Sequence, residues 1–218
     1  TLSEVQQAAL DSIQENFKTF DVNLLHGVTA SGKTEIYIKL LEQYIKEGKQ
    51  VLFLLPEIAL TTQLVQRLTA YFGNEVAVFH SKYTNNERIE VWNQVLENSP
   101  KAKVVIGVRS ALFLPFSNLG CIIVDEEHEQ TFKQHDPAPR YHARDAAIVL
   151  AKQHGAKVVL GSATPSLETY YNVQSNKYGL TELKVRYGNV VLPEIQLVDL
   201  KDKYFRKKMS GHFFVFLL

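Results

Sequence analysis

Six short runs along the chain are apolar at nearly every position: VNLLH from Val22, VLFLL from Val51, VAVFH from Val76, KVVIGV from Lys103, CIIVD from Cys121 and KVVLGSA from Lys157. A strand with one wet face alternates apolar and polar residues, so unbroken runs predict a parallel sheet covered on both faces. The segments between most of them change period. After Lys33, Ile36, Leu40 and Tyr44 form one stripe with Ile45 beside it, which predicts a helix. Thr84 to Glu87 reads as a capping box, and the Ile89, Trp92, Leu96 stripe behind it is expected in the core. VRSALFLPFSNLG breaks the pattern and predicts a loop with at most a helical turn. Past Asn176 the signal weakens into YGLTELKV and LPEIQLVDL, expected as edge strands, then KDKYFRKK and a terminal FFVFLL.

Strands alternating with helices imply right-handed crossovers and an open α/β sheet, mostly parallel, with helices on both faces. Ligands then belong at the carboxyl ends of the strands. The places to search are Gly27–Thr34, Pro56-Glu57, His80-Ser81, Arg109-Ser110, Asp125–His128 and Ser162–Pro165.

Composition narrows the classes of function. With 218 residues, 45% hydrophobic and 22% charged, the chain suits one domain, or one with a small appendage, and can bury a sizeable core. A net charge of +1 excludes a strongly basic molecule, so any nucleic-acid contact must come from a local cluster. One cysteine excludes an internal disulfide and a Cys-rich metal site, and Cys121 in CIIVD reads as a buried, inert thiol. With no apolar run near membrane length and no signal peptide, a cytoplasmic protein is expected. The chain starts at Thr1 rather than at a methionine, which suggests a piece of a longer or processed chain, and FFVFLL is expected to mark a cut.

The chemistry begins at GVTASGKT, Gly27 to Thr34, which fits G-x-x-x-x-G-K-[ST] between a strand and a helix. In such a loop backbone N–H groups wrap phosphates, the helix N-terminus faces them, and Lys33 reaches the β/γ-phosphates. The cradle is then Gly27, Val28, Thr29, Ala30, Ser31, Gly32, Lys33 and Thr34. CIIVDEEH supplies a carboxylate directly after a strand: Asp125 is assigned to Mg²⁺ opposite the Thr34 hydroxyl, and Glu126 to orienting or deprotonating the attacking water.

These residues, with GSATPSLET from Gly161, resemble motifs I to III of superfamily 2 helicases. The further runs LLPEIALTTQ, FHSKYTNNERIEVW, VVIGVRSALFLPF and IIVDEEHEQTFKQHDPAPRYHARDAAI resemble the replication-restart (primosomal) helicases within them. The resemblance implies a RecA-like P-loop lobe, the first of a pair, over residues 1–200, with 201–218 beginning a linker to a second lobe. It implies ATP and Mg²⁺ as ligands, and zinc only in a cysteine-rich insertion outside this chain. It also implies 3′→5′ movement on single-stranded DNA, forked DNA as substrate, and primosome and single-strand-binding proteins as partners. The isolated lobe is expected not to unwind DNA, because the second lobe carries an arginine that stabilises the transferring phosphate.

Particular residues follow from the resemblance. Gln6 corresponds to the adenine-reading glutamine, though Ser3-x-x-Gln6 is equally a capping box. His128 is expected to bridge DEEH to Ser162 and Thr164, relaying nucleotide state. His80, Ser81, Arg109 and Ser110 match DNA-backbone motifs. Thr131 to Asp145 interleaves Phe132 and Tyr141 with Lys133, Arg140 and Arg144, so bases could stack while cations hold phosphate. Among departures, Ala30 stands where the family usually has glycine, which predicts a loop held to φ < 0 there. Thr62 replaces proline, Val108 replaces threonine, and GHFFVFLL departs from the usual linker start. A second class of function stays open, a nucleotide-gated DNA- or partner-binding module without unwinding. A small-molecule kinase is disfavoured, because DEEH and SAT have no role in one.

Overall fold

The computed structural model describes residues 2–57, 62–80 and 83–186. Ser81, LPEIQLVDL, FRKK and FFVFLL lie outside the described residues. Among the described residues, seven strands form one sheet: β1 (Val22–Gly27), β2 (Gln50–Leu54), β3 (Val76–Phe79), β4 (Val104–Gly107), β5 (Leu119–Asp125), β6 (Lys157–Ser162) and β7 (Gly179–Leu183). Their order across the sheet is β3-β4-β2-β5-β6-β1-β7, and every pairing is parallel. The six apolar runs are the first six strands, and YGLTELKV gives the edge strand β7.

Two cores explain why the runs are apolar throughout. On one face, α1 (Glu4–Asn16), α2 (Lys33–Lys46) and α3 (Thr62–Phe72) pack on Leu25, Val51, Phe53, Ile106, Ile123 and Val159. On the other, α4 (Asn85–Leu96) and α5 (Ala143–His154) pack on Leu24, Leu52, Val105, Ile122, Val124 and Leu160. Successive strand residues point to opposite faces, so each run feeds both cores. Cys121 is buried as expected, and burial pushes its thiol pKa upward.

The expected core stripe on α4 is not core. Ile89, Trp92 and Leu96 are 57%, 44% and 51% exposed, while Val91 and Val95 carry the packing. The i, i+3, i+7 spacing was genuine, but the buried stripe lies on the adjacent positions. Spacing sets which residues share a face, not which face the sheet covers.

The helix before β1 is fastened at its far end by a buried polar cluster. Asn16 Nδ2 donates to Asn23 Oδ1 at 2.7 Å and to the Leu180 carbonyl at 3.0 Å, and Asn23 Nδ2 donates to Thr181 Oγ1 at 3.3 Å. Those bonds fix α1 against β1 and β7. A short helix, α6 (Leu167–Gln174), follows β6.

Candidate nucleotide site and the neighbouring loops

The loop from Gly27 to Lys33 is shaped by backbone constraints. Val28 N–H donates to the Leu183 carbonyl at 3.0 Å, tying the loop to the sheet edge, and Ser31 N–H closes a turn on the Val28 carbonyl at 3.0 Å. A Cβ on Gly27 would sit 2.8 Å from Ser31 Oγ and 3.1 Å from Lys33 Cγ, so only glycine leaves room for the turn. Gly32 has φ 82° and Ala30 has φ 61°. The expectation of φ < 0 at Ala30 is therefore corrected. The turn demands a left-handed residue there, and alanine adopts it at a cost of roughly 1–2 kcal/mol. Ser31 is 3% exposed and its Oγ has no hydrogen-bond partner, an orphaned polar atom of the sort a bound ligand satisfies.

Lys33 opens α2 and is largely buried. Its ammonium donates to the Gly27 carbonyl at 3.1 Å and lies 3.8 Å from Glu126 Oε1. The loop and the strand-end carboxylates, nearly 100 residues apart in sequence, therefore meet. Thr34 follows at the start of α2, where the helix N-terminus favours anions.

Asp125 ends β5 and Glu126 turns the chain with φ 50°, a strained value for a non-glycine residue. Asp125 Oδ1 accepts from the Tyr37 hydroxyl at 3.0 Å. Burial, then the adjacent Glu126 charge, raise the Asp125 pKa to about 6, against the opposing pull of Lys33 and Tyr37. Tyr37 was not foreseen. It reaches Asp125 only because residue 161 is glycine, since a Cβ there would lie 1.7 Å from the hydroxyl. The glycine of GSAT was visible in the sequence; the tyrosine that needs it, on α2, was not.

Magnesium beside a triphosphate keeps waters and phosphate oxygens as ligands and takes few from the protein. The donor set fits that role. Thr34 offers a hydroxyl and Asp125 an under-compensated carboxylate.

Glu127 points the other way and is fully buried. Its Oε1 accepts from Ser166 N–H at 2.7 Å, and its Oε2 accepts from Arg144 Nη1 at 3.0 Å, Ser166 Oγ at 3.0 Å and Thr169 Oγ1 at 2.9 Å. Arg144, 7% exposed, also binds Asp145 at 2.8 Å. The expectation that Arg144 contacts DNA is corrected: its guanidinium is spent inside the protein, joining β5 to the starts of α5 and α6. Nothing in DEEH tells the second glutamate from the first, so this junction was missed.

His128 stands between the two regions. Its Nδ1 lies 2.8 Å from Ser162 Oγ and 3.7 Å from Glu126 Oε2, and its Nε2 lies 3.3 Å from Thr164 Oγ1. The three expected relay residues are thus in contact. Gln6 does two things at once. It completes the capping box with Ser3, and its Nε2 donates to the Gly32 carbonyl at 3.3 Å. Both ends of its amide are engaged within the protein, so reading adenine would require an exchange of partners.

The expected DNA residues divide. Phe132 is 1% exposed and belongs to the core, because the 3-10 turn Gln130–Phe132 aims it inward. It cannot stack on a base, which corrects that expectation. Arg109 Nη1 donates to the Thr131 carbonyl at 3.0 Å, and the Tyr141 hydroxyl donates to the Arg109 carbonyl at 3.4 Å. Lys133 Nζ donates to the Arg140 carbonyl at 2.7 Å, and Arg140 is exposed. The His80 ring meets the Tyr83 ring at a tilt of 56° with centroids 4.2 Å apart, and Ser110 is half-buried in the turn that begins at Arg109.

Comparison with known proteins bears on this arrangement. Residues 3–173 match the DEAD/DEAH box helicase family. Replication restart protein PriA of Bacillus subtilis (strain 168) is 46% identical over 204 residues, covering 93% of this chain and 25% of that protein. The PriA of Haemophilus influenzae is 50% identical over 191 residues, covering 88% of this chain and 26% of that one. The chain thus spans about a quarter of the length of these curated relatives. Among solved structures, RecG bound to a three-way DNA junction superposes with a TM-score of 0.61 at 20% identity, covering 97% of this chain and 28% of that one. The helicase MrfA bound to DNA and AMPPNP gives 0.60 at 19%, covering 95% and 32%. At such identities these two speak for the fold alone, a RecA-like helicase lobe.

Proposed function

Since this chain belongs to the DEAD/DEAH box helicase family, we propose that it is the ATP-binding lobe of a replication-restart helicase that moves 3′→5′ on single-stranded DNA. The single observation that carries the reading is the meeting of Lys33 and Glu126, 3.8 Å apart, beneath a loop with an orphaned buried hydroxyl at Ser31. PriA relatives at 46% and 50% identity supply the setting, replication restart. DNA as ligand, forked DNA as substrate and primosome or single-strand-binding partners are supported by the similarity to replication restart protein PriA. A cytoplasmic setting fits a replication protein; no helix among the described residues is long and apolar enough to cross a membrane.

In this reading Gly27–Thr34 cradles the triphosphate through backbone N–H groups. Lys33 exchanges the Gly27 carbonyl for the β/γ-phosphate oxygens, a stronger partner because it is charged. Thr34 and Asp125 hold Mg²⁺, which when bound neutralises charge developing on the phosphates. Glu126 orients the attacking water and takes its proton. His128, with Ser162 and Thr164, passes the change at Glu126 to the segment after β6. Gln6 holds the loop through Gly32 and exchanges its Ser3 and Gly32 partners to read adenine. Lys133, Arg140, Tyr141, Arg109, Ser110 and His80 contact the DNA, and Ser81, outside the described residues, is assigned there by the resemblance alone.

Lys33→Ala tests the reading. Isothermal calorimetry with Mg-ATP should show binding weakened by roughly 30-fold or more, the scale of truncating one partner of a buried hydrogen-bonded charge pair. Unchanged affinity would overturn the assignment. The alternative, a nucleotide-gated binding module, predicts ATP-dependent DNA affinity with no strand displacement on a forked duplex by the complete protein.

A further inference from the structure

Phe113 is 58% exposed, and no other phenylalanine is exposed among the described residues. It ends the 3-10 turn Arg109–Phe113, whose Ala111 and Leu112 are buried in the core. That turn packs so closely that a Cβ on Gly107 would lie 2.4 Å from Ala111 Cβ. The backbone therefore holds Phe113 outward, and the ring cannot fold back as Phe132 does. It meets one neighbouring ring, Tyr141, edge-on, with centroids 5.1 Å apart and planes at 84°. Tyr141 is itself fixed by its hydroxyl on the Arg109 carbonyl, and Arg109 by the Thr131 carbonyl.

Resting on the DNA-binding reading above, we infer that Phe113 is a base-stacking platform for single-stranded DNA, with Tyr141 as its edge support. The occupant follows from the surroundings. Over residues 133–142 the loop that carries Tyr141 also brings Lys133 and the exposed Arg140, against one carboxylate, Asp136. An exposed ring beside a loop that carries two cations suits a chain of alternating bases and phosphates better than it suits an apolar protein surface. The pair also stands at the carboxyl edge of the sheet, where β4 ends at Gly107, two residues before Arg109. Stacking there needs no base identity, because every base offers a π-face. Phe113 thus takes the role that the motif pattern assigned to the buried Phe132.

Fluorescence anisotropy with a labelled oligo-dT and with an abasic oligonucleotide of equal length separates the contributions. Phe113→Ala should weaken oligo-dT binding by roughly 5- to 150-fold, the range for one lost base stack, and leave abasic binding unchanged. Phe113→Trp should restore affinity and Phe113→Leu should not, since leucine keeps apolar bulk but no ring. The slope of affinity against salt should stay at the wild-type value, because no phosphate contact is lost. Circular dichroism confirms that each variant is folded. Equal losses on both oligonucleotides, rescue by leucine, or no loss at all would overturn the inference, the last pointing to a protein contact instead. Wild-type protein that binds neither oligonucleotide would overturn the DNA-binding reading itself, and this inference with it.

Discussion

Glu126 and Glu127 are neighbours in the chain and opposites in the fold. The Glu126 side chain is 35% exposed on a left-handed backbone, near Lys33 and His128 but at 3.8 and 3.7 Å, beyond hydrogen-bond length. Glu127 is fully buried, and four donated hydrogen bonds from Arg144, Ser166 and Thr169 satisfy it. The first carboxylate is left under-satisfied and costs backbone strain; the second ties three elements together. A site that must exchange ligands keeps its groups loosely partnered, while the frame around it is closed and complete. Two substitutions at adjacent positions should therefore have separate consequences.

The largest effect is expected at Glu126. Glu126→Gln keeps size and removes the base, so turnover in the complete protein should fall by about 10²- to 10⁴-fold while ATP binding persists. Its denaturation midpoint should hardly move, since surface changes away from packing cost under ~0.5 kcal/mol. Steady-state hydrolysis beside urea denaturation makes the measurement. Wild-type turnover would put the base at another group, and a large stability loss would erase the contrast with Glu127.

Next comes Glu127→Ala, which should cost about 3 kcal/mol, because Arg144 is left buried with only part of its hydrogen bonding. Urea midpoints give the value. Removing the charge from both ends, in Glu127→Ala with Arg144→Met, should recover part of that loss. Additive losses would mean that the pair is not coupled and that the junction is held by Ser166 and Thr169 alone.

The sequence carried the strands and the phosphate loop because both are written locally. An unbroken apolar run means a covered strand, and six of them led to β1 through β6. A glycine-bounded turn before Lys33 means a phosphate cradle whatever packs around it. What was not legible depends on partners far away in sequence. Phe132 and Tyr141 are equally aromatic and each adjoins a cation, Lys133 or Arg140, yet the turn at Gln130 buries one and Arg109 props up the other. Arg144 looks like a DNA contact until Glu127 is seen facing it. Tyr37 looks like a core residue of α2, and only the missing Cβ of Gly161 lets it touch Asp125. The α4 stripe fails for a related reason: periodicity groups Ile89 with Trp92 but carries no information about the sheet's position.

A smaller effect concerns Asp125, whose pKa is raised to about 6 against 3.8 in an unfolded chain. Between those values the folded protein binds the proton more tightly, so stability should rise as pH falls from about 7 towards 4. Above pH 6 the buried charge is a standing cost. Asp125→Asn should flatten this window and raise stability at neutral pH, while losing the Mg²⁺ dependence of nucleotide binding. Chemical denaturation at several pH values checks it. A wild-type profile that rises with pH across the window, with the Asn variant parallel to it, would show that Asp125 is well compensated.

The smallest effect sharpens the comparison most, because it separates strain from chemistry. Ala30 shares the left-handed backbone of Glu126 but carries no reacting group, with φ 61° against 50°. If the nucleotide side of the molecule stores strain, relieving it at Ala30 should stabilise the fold without touching the carboxylates. Glycine removes roughly 1–2 kcal/mol of left-handed cost. It also adds unfolded-state freedom, which takes back about 0.4–1 kcal/mol. Ala30→Gly should therefore raise stability by about 0.5–1 kcal/mol, a shift of a few degrees at most in melting temperature for a chain of this size. Nucleotide affinity should hold or improve, since the loop's N–H groups keep their directions. A lower melting temperature would mean that residue 30 does not keep a left-handed backbone in solution. The contrast would then rest on Glu126 alone, and the strain would belong to one residue rather than to the whole nucleotide side.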